Sequence, residues 1–154
     1  MRLHAPLVGP RRAALGPSIL GLERGWGERG WSDEAIESEL GHAAAWVAVL
    51  EREGEVAAWL AARFVLDESE LLRIAVHPDH VRRGHGRRLV EVWLEAAVAS
   101  GCSRVHLEVA AANEAAQCLY RALDFAVVGR RPGYYRRPPD DALIMRRDLP
   151  AGPG

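Results

Sequence analysis

The run Leu71-Leu72-Arg73-Ile74-Ala75-Val76, followed by His77-Pro78 and then by Val81-Arg82-Arg83-Gly84-His85-Gly86-Arg87-Arg88, decides how this chain is read. The first stretch is apolar except for Arg73, which predicts a strand placed centrally in a sheet and covered on both faces. His77-Pro78 ends it, because proline offers no N–H to a ladder. A glycine-bearing turn comes next and opens straight into a helical pattern. Leu89, Val90, Trp93, Leu94, Ala97 and Val98 recur at helical spacing and predict one apolar face. Strand, turn and helix in that order present backbone N–H groups and a helix N-terminus to an anion. Gly84 and Gly86 permit close approach and unusual backbone angles. Arg82, Arg83, Arg87 and Arg88 surround them with charge suited to phosphate.

Taken alone, Gly-x-Gly reads equally well as a plain loop with a basic face. It is not a nucleoside-triphosphate loop, since no Gly-Lys-Ser/Thr follows, and it lacks the third glycine of a dinucleotide fingerprint. Four clustered arginines also admit DNA as a ligand. Two flanking the turn and two opening the helix suit a compact phosphate better than a long nucleic-acid backbone.

Upstream, a short strand is expected within the first dozen residues. Ala13–Arg24 has helix-like apolar spacing, with Gly16 and Pro17 expected to interrupt it and set its start. Ser32 followed by Asp33-Glu34 is a helix start, running to about Leu40 and stopped at Gly41. Ala44–Leu50 and Val56–Val65 are β-like, with Glu53-Gly54 as the turn between them and Asp67-Glu68-Ser69 as the next turn. Downstream, Ser100-Gly101 closes the long helix. Arg104–Val109 alternates Val105, Leu107 and Val109 against Arg104, His106 and Glu108. Asn113 caps a helix to about Leu123. Ala126–Gly129 and Ala142–Met145 are short strands separated by a loop, Arg130–Asp141, that holds Tyr134-Tyr135. The pattern predicts an α/β (mixed α+β) fold, since the early hairpins are antiparallel and a β-α-β alternation follows. One domain is expected over residues 1–149, with a disordered tail beyond Asp148, at 150–154.

The chain has 154 residues and a formal net charge of −1, which suits one core and no nucleic-acid partner. All 20 basic residues are arginine. Cys102 and Cys118 form no metal-spaced pair or redox motif and read as small buried residues of a reducing compartment. No apolar run has membrane-spanning length and no signal-peptide segment opens the chain, so a cytoplasmic protein without membrane association is expected.

Three further positions draw notice. Glu108 lies near the C-terminal end of its strand, where ligands gather in α/β sheets; a lone glutamate there also reads as solvated surface. Asn113 and Tyr120 are seven residues apart, two helical turns, and so share a side. Asn113 serves as a cap in either case, and Tyr120 also reads as core.

Together these motifs resemble the GNAT superfamily of N-acetyltransferases and, within it, the RimI-type ribosomal-protein-alanine N-acetyltransferases. The matching residues are Ile74-Ala75-Val76-His77-Pro78, the turn Arg82–Arg87, Leu107-Glu108-Val109, Asn113-Glu114-Ala115-Ala116, Leu119-Tyr120, Phe125, Tyr134-Tyr135, Asp141-Ala142-Leu143-Ile144-Met145 and Trp31-Ser32. The resemblance covers residues 30 to 148. It implies a central mixed, mostly antiparallel sheet flanked by about four helices, and acetyl-CoA as co-substrate with no metal. It implies that the pyrophosphate sits on Arg82, Arg83, Gly84, His85, Gly86 and Arg87. The pantetheine arm would lie along Ile74, Ala75 and Val76, and Asn113 would touch the coenzyme. Glu108 would be general base and Tyr120 general acid. The acceptor would be a protein N-terminus, that of a ribosomal protein, bound between Trp31, Tyr134 and Tyr135 by a monomer or weak homodimer. An enzyme acetylating a small amine and a non-catalytic acyl-CoA-binding module are the alternatives. Three positions depart from the family pattern: Val81 replaces a polar residue before the turn, Asp124 replaces a glycine before Phe125, and Gly30 replaces a proline before Trp31.

Overall fold

The structure, a computed structural model, describes residues 1–136 and 138–150. The elements run β1 (Arg2–His4), α1 (Pro10–Arg24), α2 (Asp33–Leu40), β2 (Ala45–Arg52), β3 (Glu55–Val65), β4 (Glu68–Val76), α3 (His85–Ala99), β5 (Arg104–Ala110), α4 (Glu114–Ala122), β6 (Ala126–Arg136) and β7 (Pro139–Asp148). Seven strands form one sheet in the order β1-β2-β3-β4-β5-β7-β6. Every neighbouring pair is antiparallel except β4 with β5. The mixed, mostly antiparallel sheet with four α-helices is thus the architecture expected.

Two apolar layers cover the sheet. On one face Leu89, Val90, Trp93, Leu94 and Ala97 of α3 pack with Leu60, Leu71, Leu107, Tyr120, Phe125 and Met145. On the other, Leu15, Ile19 and Leu22 of α1 and Ile36 of α2 pack on Val47, Val49, Trp59, Ala61 and Ala75. β4 lies in the middle of the sheet, buried at Leu71 and Ala75, as its apolar sequence requires.

Several local expectations hold. Ser32 caps α2, its hydroxyl accepting from the Ala35 N–H at 3.1 Å. The β2–β3 hairpin turns at Glu53 (φ 52°) and Gly54 (φ 84°), the paired positive φ angles that a tight hairpin needs. Asp124 takes the left-handed conformation (φ 67°) that the usual glycine would take.

Other expectations are corrected. α1 begins at Pro10, not after Pro17, and runs through Gly16 and Pro17. Pro10 fits the first helical turn, where no N–H is needed, and the buried side chains Leu15, Ile19 and Leu22 hold the helix across the bond lost at Pro17. Arg130–Asp141 is not a loop: β6 extends to Arg136 and pairs with β7 from Pro139. Its residues are nearly all exposed, so no apolar alternation announces the strand. Val98 is 40% exposed and lies off the buried stripe of α3. Cys118 is exposed, while Cys102 is buried as expected. The chain after Asp148 is not loose from the start, because Leu149 is buried and its N–H donates to Ser103 O at 2.8 Å. The remainder of the expected disordered tail, residues 151–154, lies outside the described residues. No helix among the described residues is long and apolar enough to cross a membrane.

Candidate functional site

The site exists because two neighbouring strands part. β4 and β5 are in register from Glu68↔Arg104 to Leu71↔Leu107, and the pairing then stops. Leu72 bulges out of the β3–β4 ladder, which passes from Ala62↔Leu71 to Ala61↔Arg73. A bulge bends its strand. Beyond it β4 stays with β3 as far as Val76, while β5 stays with β7 as far as Ala110.

The gap is a cavity of about 680 Å³. Its walls include Ile74, Ala75 and Val76 of β4, Gly86 of α3, Glu108 of β5, Asn113, Tyr120 of α4, Trp31 and Tyr135. Nine residues singled out from sequence therefore meet in one place. Arg82, Arg83, Gly84, His85 and Arg87 lie beside the cavity in sequence but do not line it, and neither does Tyr134.

Backbone alternation explains why β4 offers polar groups here. The His77 N–H donates to Ala57 O at 2.8 Å, so His77 and Ala75 point toward β3. Ile74 and Val76 consequently turn their N–H and C=O toward the open edge. One of these groups is taken: Trp26 Nε1 donates to Val76 O at 2.8 Å.

At the start of α3, Arg82 (φ 62°) and Gly84 (φ 79°) adopt left-handed angles. The first bond inside the helix is Arg88 N–H to Gly84 O at 3.1 Å. The N–H groups of residues 82–87 thus have no backbone acceptor among the described residues, so these donors are open to a ligand. Gly86 contributes differently from the expectation of unusual angles. It is helical, and its missing side chain leaves the space beside Ile74 and Val76 open. Arg87 is tied to Glu91 at 2.7 Å rather than free. The His85 Nε2 atom is buried without a hydrogen-bond partner among the described residues. Burial, followed by the charges of His80, Arg83, Arg88 and Arg52, pushes this imidazole's pKa down.

Glu108 faces the cavity with its side chain 18% exposed. The Arg131 Nε atom lies 2.8 Å from its carboxylate, and the same guanidinium sits 5.8 Å from the centre of the Tyr134 ring. The Glu108 charge pushes the Tyr134 hydroxyl pKa up. Tyr135 is raised by burial first and by Glu108 second. Tyr120, almost wholly buried, is pushed up to about 12 by desolvation. Its phenol therefore keeps its proton throughout the physiological range. Asn113 caps α4, its side chain accepting from the Ala116 N–H at 3.2 Å.

Sequence reasoning missed the residues that brace these walls. Glu23 is fully buried, and its carboxylate accepts from Trp31 N (3.1 Å), Trp59 Nε1 (2.8 Å), Arg73 Nε (2.8 Å) and Arg73 Nη2 (2.5 Å). One carboxylate thus ties α1, β3, β4 and the segment before α2. Gly30 is needed beside it, because a Cβ there would run into the Glu23 carbonyl oxygen. Gly30→Ala is accordingly expected to destabilise the protein by about 1–3 kcal/mol, read as a lowered Tm; an unchanged Tm would show that this segment moves freely away from α1. On the far wall, Asp140 accepts from Ala112 N at 2.8 Å. Asp141 accepts from Gly133 N at 2.7 Å and from Arg130 Nε at 2.8 Å. The Asp140 carboxylate holds the β6–β7 hairpin against the β5–α4 connection, and the Asp141 carboxylate ties β6 to β7 within the hairpin. They are separated from their partners by up to 28 positions, so only the fold brings them together.

The family model described as "Acetyltransferase (GNAT) family" matches residues 18–125. The chain is 40% identical over 98 residues to the [ribosomal protein bS18]-alanine N-acetyltransferase of Escherichia coli (strain K12), a match covering 62% of this chain and 66% of that protein. It is 44% identical over 81 residues to the N-alpha-acetyltransferase RimI of Mycobacterium tuberculosis, covering 53% of this chain and 49% of that one. These matches span less than two thirds of the relatives' own lengths. The crystal structure of the ribosomal-protein-S18-alanine N-acetyltransferase from Escherichia coli superposes with a TM-score of 0.84 at 30% identity, covering 99% of this chain and 96% of that one. A sheet parted beside a helix N-terminus, the family match through the turn and α4, and the full-length structural likeness converge: this chain belongs to the GNAT family of acetyltransferases.

Proposed function

We propose that this protein transfers the acetyl group of acetyl-CoA to the N-terminal α-amine of a protein, in particular the N-terminal alanine of a small-subunit ribosomal protein. The observation that carries the reading is the cavity itself. It runs from the glycine at the start of α3 to a wall bearing both a carboxylate and a protonated phenol.

The fit to the coenzyme rests on the free amides of residues 82–87, which suit a diphosphate at a helix N-terminus. Arg82, Arg83 and the turn's own dipoles supply charge, with Gly84, His85 and Arg87 framing it. Ile74 and Val76 present backbone groups to an amide-bearing arm, with Ala75 between them and Asn113 on the opposite side. Acetyl-CoA supplies an activated thioester, and no metal is required for that chemistry.

The chain's own residues do the rest. Glu108 accepts a proton from the incoming amine, directly or through a water. An α-amine titrates near ~8 against ~10.4 for lysine, so an N-terminus is the easier amine to deprotonate near neutral pH. The neutral amine attacks the thioester carbonyl without a covalent enzyme intermediate. Backbone N–H groups at the β4 edge stabilise the oxyanion. Tyr120 gives its proton to the departing thiolate. Trp31 and Tyr135 wall the acceptor slot, with Tyr134 above Glu108.

The slot's electrostatics favour a peptide over a polycationic small amine. Asp140 is engaged by backbone N–H groups, and Glu108 already faces Arg131. Neither leaves a bare acidic funnel. Incubation with acetyl-CoA and a panel of peptides differing in their first residue, read by mass spectrometry, is expected to give a mass gain of one acetyl group on the α-amine of alanine-initiated peptides. Acetylation confined to small amines, or absent altogether, would refute the reading.

A further inference from the structure

Of the described residues that line the cavity, Glu108 and Asp140 alone carry carboxylates, and neither is open to a cation. Asp140 accepts from the Ala112 and Asp141 N–H groups, both at 2.8 Å. Glu108 is held by Arg131, whose Nε lies 2.8 Å away. The basic residues on the walls are Arg29 and Arg73, the latter locked to buried Glu23. A charged amine entering this space finds no unpaired acid.

The register of the sheet brings Arg131 to this carboxylate. Arg131 pairs with Ala142 on β7, and Ala142 pairs with Ala110 on β5. Paired residues share a face, as do residues two apart on one strand, so Glu108 and Arg131 stand on the same face. The intervening strand offers only the small Ala142 side chain there, and the guanidinium reaches across it. β6 bulges between Arg131 and Tyr135. The Tyr134 ring comes within 5.8 Å of the guanidinium, a cation–π distance that favours this placement. Glu70 of β4, opposite His106 in register, stands 3.8 Å from that imidazole and does not line the cavity. Tyr120, Tyr134 and Tyr135 have raised pKa values, so they keep their protons and add no charge.

We propose that Arg131 is a specificity-determining residue: by holding Glu108 in a neutral ion pair, it makes the slot take its acceptor as an uncharged amine and favour α-amines over lysine side chains. The proposal rests on the acceptor reading above and deepens it. Near pH ~7.5 roughly a quarter of an α-amine is uncharged, against roughly one in a thousand of lysine. A bare carboxylate would cancel part of that difference by capturing the ammonium form. With Arg131 in place, an ammonium group meets a guanidinium of like charge, while a neutral amine escapes this repulsion. The amine lone pair then forms the C–N bond to the thioester carbonyl carbon. The proton released from nitrogen passes to Glu108, the C–S bond breaks, and the thiolate takes the Tyr120 proton.

The test compares an alanine-initiated peptide with the same peptide N-terminally blocked and carrying one internal lysine. Arg131→Gln is expected to narrow the α-to-ε ratio of kcat/KM by about fivefold, the upper range for one partly exposed charge pair. Arg131→Lys, which keeps the charge, should hold the ratio nearer the native value. The pH profile supplies a readout that a merely structural role would not move. In the native protein the acceptor KM is expected to fall as pH rises toward ~8, because only the uncharged form binds. In Arg131→Gln the ammonium form binds as well, so the pH dependence should pass from KM to kcat. Acetyl-CoA affinity, measured by isothermal titration, should stay unchanged and reports that the variant is folded. Arg131→Met carries the same test should the Gln variant fold poorly. An α-to-ε ratio that is the same in native and neutral variants, or a KM whose pH dependence survives the substitution, would overturn the proposal and leave the acceptor reading standing. Failure of the native protein to acetylate any peptide α-amine would remove both.

Discussion

Glu108→Gln is expected to lower turnover on an N-terminal peptide by about a hundredfold or more, the usual worth of a positioned base, with acetyl-CoA affinity unchanged. The substitution keeps size and polarity but removes the oxygen proposed to take the proton. It also leaves the Arg131 guanidinium, now 2.8 Å from the carboxylate, facing a neutral amide. The sign of the pH response follows from the groups involved. The rate is expected to rise with pH as the amine loses its proton, near ~8. The same limb should remain in the variant, at a lower plateau. Steady-state kinetics across pH with isothermal titration of the coenzyme separate the two effects. Unchanged turnover would show that the proton leaves by another route, whatever the geometry around Glu108.

Gly86→Glu is expected to weaken acetyl-CoA binding by about a hundredfold, equivalent to roughly 2.7 kcal/mol. A carboxylate would stand where Gly86 now leaves the cavity open toward Ile74 and Val76. It would repel a diphosphate and compete for the free amides of the turn. Gly86→Ala is the control. Its Cβ would meet Ile74 Cδ1 and Val76 Cγ2 at 3.8 Å, an ordinary contact, so bulk alone should cost little. If the glutamate variant bound acetyl-CoA as tightly as the native protein, the diphosphate would have to lie away from the start of α3.

How much of this was readable from the chain depends on whether the cause was local. The cap at Ser32, the Glu53-Gly54 hairpin and the strand–turn–helix from Leu71 through Ala99 were legible, because each is written in adjacent residues with one physical meaning. Glu108, Tyr120, Asn113, Trp31 and Tyr135 were legible as a set through family resemblance, and the cavity joins them. The start of α1 was misread, since Pro17 looks like a stop until the buried anchors around it are known. The second half of β6 was invisible, because an exposed edge strand needs no apolar alternation and its partner supplies the pairing. The Glu23–Arg73 pair spans 50 positions and has no local signature at all. Gly30 had been only a departure from the usual proline; the Glu23 carbonyl beside it accounts for a residue without a side chain.

The parting of β4 from β5 carries one more consequence. Residues of both apolar layers border the cavity: Trp31 from the layer with α1 and α2, and Ala116, Leu119 and Tyr120 from the layer with α3. The opening thus traverses the sheet rather than denting one side. On the proposed function, donor and acceptor would enter from opposite flanks, and the spent thiol would be free to depart while the blocked N-terminus is still seated. Such a passage imposes no compulsory sequence of departure, and each product should inhibit mainly against the partner whose flank it shares.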